Sequence, residues 1–130
     1  MTERVVLDAS AIVAVVLKEP GMDKVVPALS FACTSAINRT EALYIVAKRL
    51  NLSSLDEARE RVDPLEIEVI SFDQEQSSLA ADIHIHSRKL GLSVGDCSCL
   101  ALAKTKNIPV LTSDRVWTKL DIGVHVRMIR

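Results

Sequence analysis

At 130 residues the chain has room for one domain, residues 1–130, with a real core, and it is short for two. Hydrophobic residues make up 48% and charged residues 25%, which excludes a disordered chain. Lys+Arg 16 against Asp+Glu 17 leaves a net charge of -1, which excludes a protein that coats nucleic acid through bulk charge.

The first segment, Arg4 to Asp8, is β-branched and apolar and ends at an acid, the pattern of a buried strand. A helix is expected from Ala9 or Ser10 to Lys18, broken by Pro20-Gly21. Gly21 to Leu29 reads as a short helix and Phe31 to Thr34 as a second strand. Ser35 to Leu50 is amphipathic, with Ile37, Leu43, Tyr44, Val46, Ala47 and Leu50 available for its inner face. Ser53 is expected to cap the next helix, whose first turn carries Asp56 and Glu57, and Pro64 ends it. Ile67 to Phe72 is a strand. Asp73 starts a long helix to Leu90, closed by Gly91. Ser93 to Asp96 opens another helix, which runs to Lys106. Ile108 to Thr112 is a buried strand, Ser113 to Leu120 a turn and short helix, and Val124 to Ile129 a last strand. Strands that alternate with helices predict an α/β domain, with a mostly parallel central sheet flanked by helices on both faces.

No stretch approaches the ~20 apolar residues of a membrane span. Ala11 to Leu17 is the cleanest apolar run, and Asp8 interrupts the region before it. Thr2-Glu3-Arg4 is no cationic leader, so no signal peptide is expected. Three Cys in no paired framework fit a reducing compartment, and a cytoplasmic protein without a membrane partner is the expectation.

In open α/β sheets, sites form beyond the carboxyl ends of the strands. Asp8 ends the first strand, and Asp114 follows the strand that closes at Thr112. Asp96 starts a helix, and Glu41 lies early in the helix after the second strand. Four carboxylates from four segments can therefore converge. Each acid alone also fits an ordinary helix cap, turn or surface position. Two like charges ~4 Å apart repel by about 4 kcal/mol at an effective dielectric of 20, so a shared cluster calls for a cation. Oxygen-only ligands suit Mg²⁺, with Mn²⁺ as the other candidate. Such sites hydrolyse phosphodiesters, the ion's charge activating water and steadying the leaving oxygen.

Val6-Leu-Asp8-Ala-Ser10-Ala-Ile-Val-Ala14 resembles the opening of a PIN domain. Ser35-Ala-Ile-Asn38-Arg-Thr-Glu41 resembles its second acidic motif, Leu92-Ser-Val-Gly-Asp96 its third, and Val110-Leu-Thr-Ser-Asp114-Arg-Val-Trp117 its fourth. Order, spacing and length together resemble a VapC-type toxin of a toxin–antitoxin pair. The resemblance implies a PIN-like fold and an Mg²⁺- or Mn²⁺-dependent endoribonuclease. It implies Asp8, Glu41, Asp96 and Asp114 as the catalytic and metal-binding cluster. Ser10 matches a small polar residue near the site, and Thr112 and Ser113 match the polar approach to the last acid. RNA as substrate and a co-produced antitoxin over the acidic cleft follow from the same likeness, and a homodimer is expected. A covering partner would bring a cation near Asp8 and Asp96. Val13, Val16, Leu17, Tyr44 and Ile45 are apolar residues on helices beside the cleft, available to a partner or to the core.

Arg39 and Arg115 are candidates for RNA contact, because each lies within two residues of a proposed ligand. Trp117 either stacks on a base or packs the last short helix. Cys97 and Cys99 lack zinc-knuckle or redox spacing, and with Cys33 they read as small buried residues. His84 and His86 fall on different faces of a helix, and His125 points outward from the last strand. There is no G-x-G-x-x-G and no Walker A, which disfavours a kinase, an NTPase or a dinucleotide enzyme. Two other classes stay open. A flavodoxin-like phospho-receiver fits the size but pairs adjacent acids after its first strand, where Asp8 stands alone. A catalytically inactive PIN-like interaction domain would keep the acids yet cleave no RNA.

Overall fold

In the computed structural model, which describes residues 3–130, five strands form one sheet in which every neighbouring pair is parallel. They are β1 (Val5–Leu7), β2 (Ala32–Ser35), β3 (Glu68–Ile70), β4 (Val110–Thr112) and β5 (Val126–Met128), in the order β3-β2-β1-β4-β5. The helices are α1 (Ala9–Val16), α2 (Met22–Val25), α3 (Ala36–Arg49), α4 (Leu55–Val62), α5 (Gln74–His86) and α6 (Val94–Lys106). Short 3-10 turns follow α2, α4, α5 and β4.

The three central strands are buried along their whole length because both of their faces are covered, and β1 is apolar throughout. Side chains alternate along a strand, so β1 feeds two cores at once. Val5 and Leu7 join Ile12, Val13, Val25, Leu43, Val46 and Val62 under α1 to α4. Val6 joins Cys33, Ile83, Leu100, Leu102, Val110 and Trp117 under α5 and α6. The α/β architecture expected from the alternating pattern is what the chain adopts. Among the described residues, no helix is long and apolar enough to cross a membrane.

Topology places the site. The chain builds outward from β1 through β2 to β3, then returns by α5 and α6 to put β4 on the other side of β1. The strand order reverses between β1 and β4, and the crevice beyond their carboxyl ends is where such sheets hold ligands. Thr34 Oγ1 donates to the Leu7 carbonyl at 2.8 Å, which ties β2 to the end of β1.

Several local expectations are corrected. α3 buries Asn38, Ala42, Leu43 and Val46, while Tyr44 is 57% and Leu50 37% exposed. The buried stripe runs at i, i+4 and i+8 from Asn38, a polar residue, and Tyr44 and Leu50 lie off it. Ser54, not Ser53, caps α4, accepting from the Glu57 N–H, while Ser53 Oγ donates to the Glu57 carboxylate at 3.0 Å. The long helix expected to Leu90 stops at His86; Ser87 bonds back to His84, and a 3-10 turn, Arg88–Leu90, follows. Gly91, at φ 64°, closes that turn rather than the helix. Gly21 to Leu29 divides between α2 and a 3-10 turn, Val26–Phe31, whose Pro27 has no N–H to give a continuing helix. Trp117 is wholly buried at 0% exposure, so it packs the core and does not offer a face to a base. Val13 is also buried, and Val16, Leu17 and Ile45 pack against the same core, which leaves Tyr44 as the exposed apolar side chain of that group.

Candidate active site

β1 ends at Leu7, and Asp8 follows it in extended conformation as the N-cap of α1. Asp8 Oδ1 accepts from the Ala11 N–H at 2.9 Å and from Ser10 Oγ at 2.7 Å. Asp8 Oδ2 accepts from Thr112 Oγ1 at 2.5 Å. The residue is only 6% exposed. Burial pushes its pKa up to about 6, against the pull of these hydrogen bonds, and the charge of Asp96 adds to the rise.

Ser10 and Thr112 each make a second bond that carries the clamp onward. The Ser113 N–H donates to Ser10 Oγ at 3.0 Å, and the Asp114 N–H donates to Thr112 Oγ1 at 3.0 Å. The two hydroxyls therefore stitch the loop after β4 to the residue after β1. Asp114 itself caps the 3-10 turn Arg115–Lys119, its Oδ1 accepting from the Val116 N–H at 3.0 Å.

Asp96 sits in the first turn of α6 within a capping box. The Asp96 N–H donates to Ser93 Oγ at 3.1 Å, and the Ser93 N–H donates to Asp96 Oδ2 at 2.9 Å. The Ser93-x-x-Asp96 spacing dictates this reciprocal pair. Glu41 lies in the second turn of α3, half-buried, and its Oε1 accepts from Asn38 Nδ2 at 2.9 Å. Burial raises the Glu41 pKa; the Asn38 bond opposes the rise and the Asp96 charge adds to it.

Asp8, Glu41, Asp96 and Asp114 all line one cavity of ≈ 340 Å³, together with Ala9, Ser10, Asn38 and Ser113. Among the described residues no Lys, Arg or His joins that lining. No three His, Cys, Asp or Glu side chains among the described residues stand close enough to grip one ion as they are placed. Each of the four carboxylates accepts a hydrogen bond from a nearby backbone or side-chain N–H. The donor chemistry nonetheless fits a hard divalent ion: four carboxylates and no cation among the residues that line the cavity.

Ser10 and Ser113 line the cavity, while Thr112 stands behind it and is wholly buried. Arg39 and Arg115 do not line it. Arg39 turns to Asp63, at 3.1 Å, and Arg115 donates to the Arg130 carbonyl at 3.4 Å. Asn38 also lines the cavity, with no role assigned to it from the sequence. Asn38 stands three residues before Glu41, a spacing that puts both on one helix face, and that signal was available.

The chain matches the PIN domain family over residues 5–123, and it belongs to that family. No curated protein matches it. Among solved structures it is similar to DNA-bound VapBC from Salmonella typhimurium, with TM-score 0.78, 17% identity, and 98% of this chain and 99% of that chain covered. FitAcB from Neisseria gonorrhoeae is similar at TM-score 0.67 and 23% identity, over 94% of this chain and 95% of that one. VapC20 from Mycobacterium tuberculosis, described as a Sarcin-Ricin loop cleaving toxin, is similar at TM-score 0.71 and 13% identity, over 92% and 98%. At these identities the likeness is one of fold.

Proposed function

We propose that this PIN domain is a divalent-metal-dependent endoribonuclease, the toxin of a VapC-type toxin–antitoxin pair. The observation that carries the reading is the sharing of one cavity by Asp8, Glu41, Asp96 and Asp114, at the carboxyl edge of the sheet and, among the described residues, with no basic side chain in its lining. The fold likeness to VapBC and to an RNA-cleaving VapC supports the assignment.

The residues divide the work by position. Asp8 is the anchored ligand, with bonds from Ala11, Ser10 and Thr112 holding both of its oxygens. Asp96 and Asp114 approach from α6 and from the loop after β4, and Glu41 approaches from α3. A bound Mg²⁺ or Mn²⁺ supplies the positive charge that makes water nucleophilic near neutral pH and offsets charge gathering on the phosphate. With no His in the cavity lining among the described residues, proton transfer falls to solvent or to the substrate. The partners in this reading are RNA, a cognate antitoxin that covers the cavity, and a second copy of the chain, all in the cytoplasm.

The test is to map cleavage products of total RNA with Mn²⁺ and with EDTA, for the wild type and for Asp8→Asn. Metal-dependent products that vanish in Asp8→Asn support the nuclease. Absence of metal-dependent cleavage in the wild type would leave the inactive interaction domain as the better reading. The toxin reading has its own check: wild-type chain expressed without its neighbouring small gene should arrest growth. Harmless expression of a preparation that cleaves RNA in vitro would remove the toxin assignment and leave the nuclease.

A further inference from the structure

Asn38 is buried at 1% exposure, on the stripe of α3 that faces the core, where an apolar residue would be the ordinary choice. Its Nδ2 donates twice, to Glu41 Oε1 at 2.9 Å and to the Gly95 carbonyl at 3.0 Å. Both partners are acceptors, so the amide orientation is set by chemistry: a flipped amide would set oxygen against oxygen. The remaining atom, Oδ1, is buried with no hydrogen-bond partner among the described residues. A buried acceptor left unpaired is a cost, and the fold bears it at a residue that lines the acidic cavity.

Gly95 makes a second unfavourable local choice at the same place. It sits in the first turn of α6, where Ala would be the better helix former. A Cβ there would overlap the Glu41 carboxylate, both oxygens included. The space left by the missing side chain is the space the carboxylate occupies. Two residues that are each poor for stability thus converge on one side chain, from α3 and from α6. Local rules that fail together at one point are expected where function sets the residue.

We propose that Asn38 and Gly95 form a seat for the Glu41 carboxylate, with Asn38 acting as a positioning residue for the divalent-ion site. This inference rests on the metal-site reading above. Asn38 supplies the donor and fixes the distance of the carboxylate from α6, while Gly95 supplies the room. The neutral amide matters: an Asp at position 38 would lose the donor and add a further negative charge against Glu41.

The experiment is a calorimetric titration with Mn²⁺ alone, on full-length wild type, Asn38→Ala, Asn38→Asp and Gly95→Ala, beside melting curves in EDTA. Loss of an orienting partner should weaken Mn²⁺ affinity by about 10–100-fold in each variant. Gly95→Ala should melt in EDTA at or above the wild-type temperature, because Ala favours the helix and the displaced atoms are the far end of a flexible side chain. Stability and metal affinity then move in opposite directions, which a merely structural role would not produce. If Asn38→Ala fails to fold, Gly95→Ala decides. Folded variants that bind Mn²⁺ as the wild type does would overturn the seat and leave the metal site standing. A wild type that binds no Mn²⁺ would overturn the metal-site reading itself.

Discussion

Helix α3 borders two hollows of opposite character. On one side Asn38 and Glu41 face the acidic cavity of ≈ 340 Å³. On the other, Arg39, Thr40, Leu43, Tyr44 and Ala47 line a larger groove of ≈ 530 Å³ shared with Leu52, Ser53, Ser54, Leu55 and Ala58. The groove is mostly apolar and, among the described residues, carries no carboxylate in its lining. The smaller hollow has the chemistry: four acids delivered from the ends of β1 and β4 and the starts of α3 and α6. Volume does not mark the site, since hollows without the four acids are larger. What marks the site is a charge that its surroundings leave uncompensated.

The sharpest break between the two hollows is in turnover. Asp8→Asn or Asp96→Asn should cut RNA cleavage by at least about 10², since a lost ligand should hurt more than the 10–100-fold cost of a lost orienting partner. Near-normal rates in both variants would erase the distinction. Stability should move the other way. Because the folded-state pKa of Asp8 is raised to about 6, metal-free protein should gain stability as pH falls from above 6 towards the ordinary carboxylate range. The full contribution, at most about 3 kcal/mol, is present below the unfolded pKa and lost as pH rises through the folded one. Denaturant midpoints in EDTA across that window would show it, and Asp8→Asn should flatten the slope. Thr112→Val removes the hydroxyl that serves both Asp8 and the Asp114 N–H. It should lower turnover by about 10–100-fold, less than loss of a ligand, and the fall should appear in Mn²⁺ dependence. Tyr44→Ala, in the groove, is the smallest change: exposed surface substitutions usually stay within about 0.5 kcal/mol, and cleavage should be unaffected.

Three of the acids were legible because each sits where a local pattern stops, while Glu41 lies inside α3. The apolar run of β1 ends at Asp8, β4 ends just before Ser113-Asp114, and Ser93-x-x-Asp96 is a capping box by spacing alone. The central parallel strands also read plainly, because burial on both faces leaves no alternation to misjudge. What sequence spacing could not supply was direction around a helix. Arg39 is two positions from Glu41, and at 3.6 residues per turn that step carries it to another face, where Asp63 holds it. Tyr44 and Leu50, by their apolarity, were available for the inner face, yet the inner stripe of α3 includes a polar Asn38 instead. The role of Asn38 depends on Gly95, and their contact spans 57 positions that only the assembled sheet brings together. The break at Ser87 lies inside a stretch whose residues would all continue a helix, and no Pro or Gly marks it.

The central claim is that four carboxylates at the carboxyl edge of the sheet form a divalent-metal site. Anomalous diffraction from crystals of the wild-type chain grown with saturating Mn²⁺ tests it directly. The account predicts a Mn²⁺ peak in the cavity at about 2.0–2.3 Å from carboxylate oxygens of Asp8 and at least one of Asp96, Asp114 and Glu41. A well-ordered cavity with no such peak, or Mn²⁺ bound only elsewhere on the chain, would contradict it.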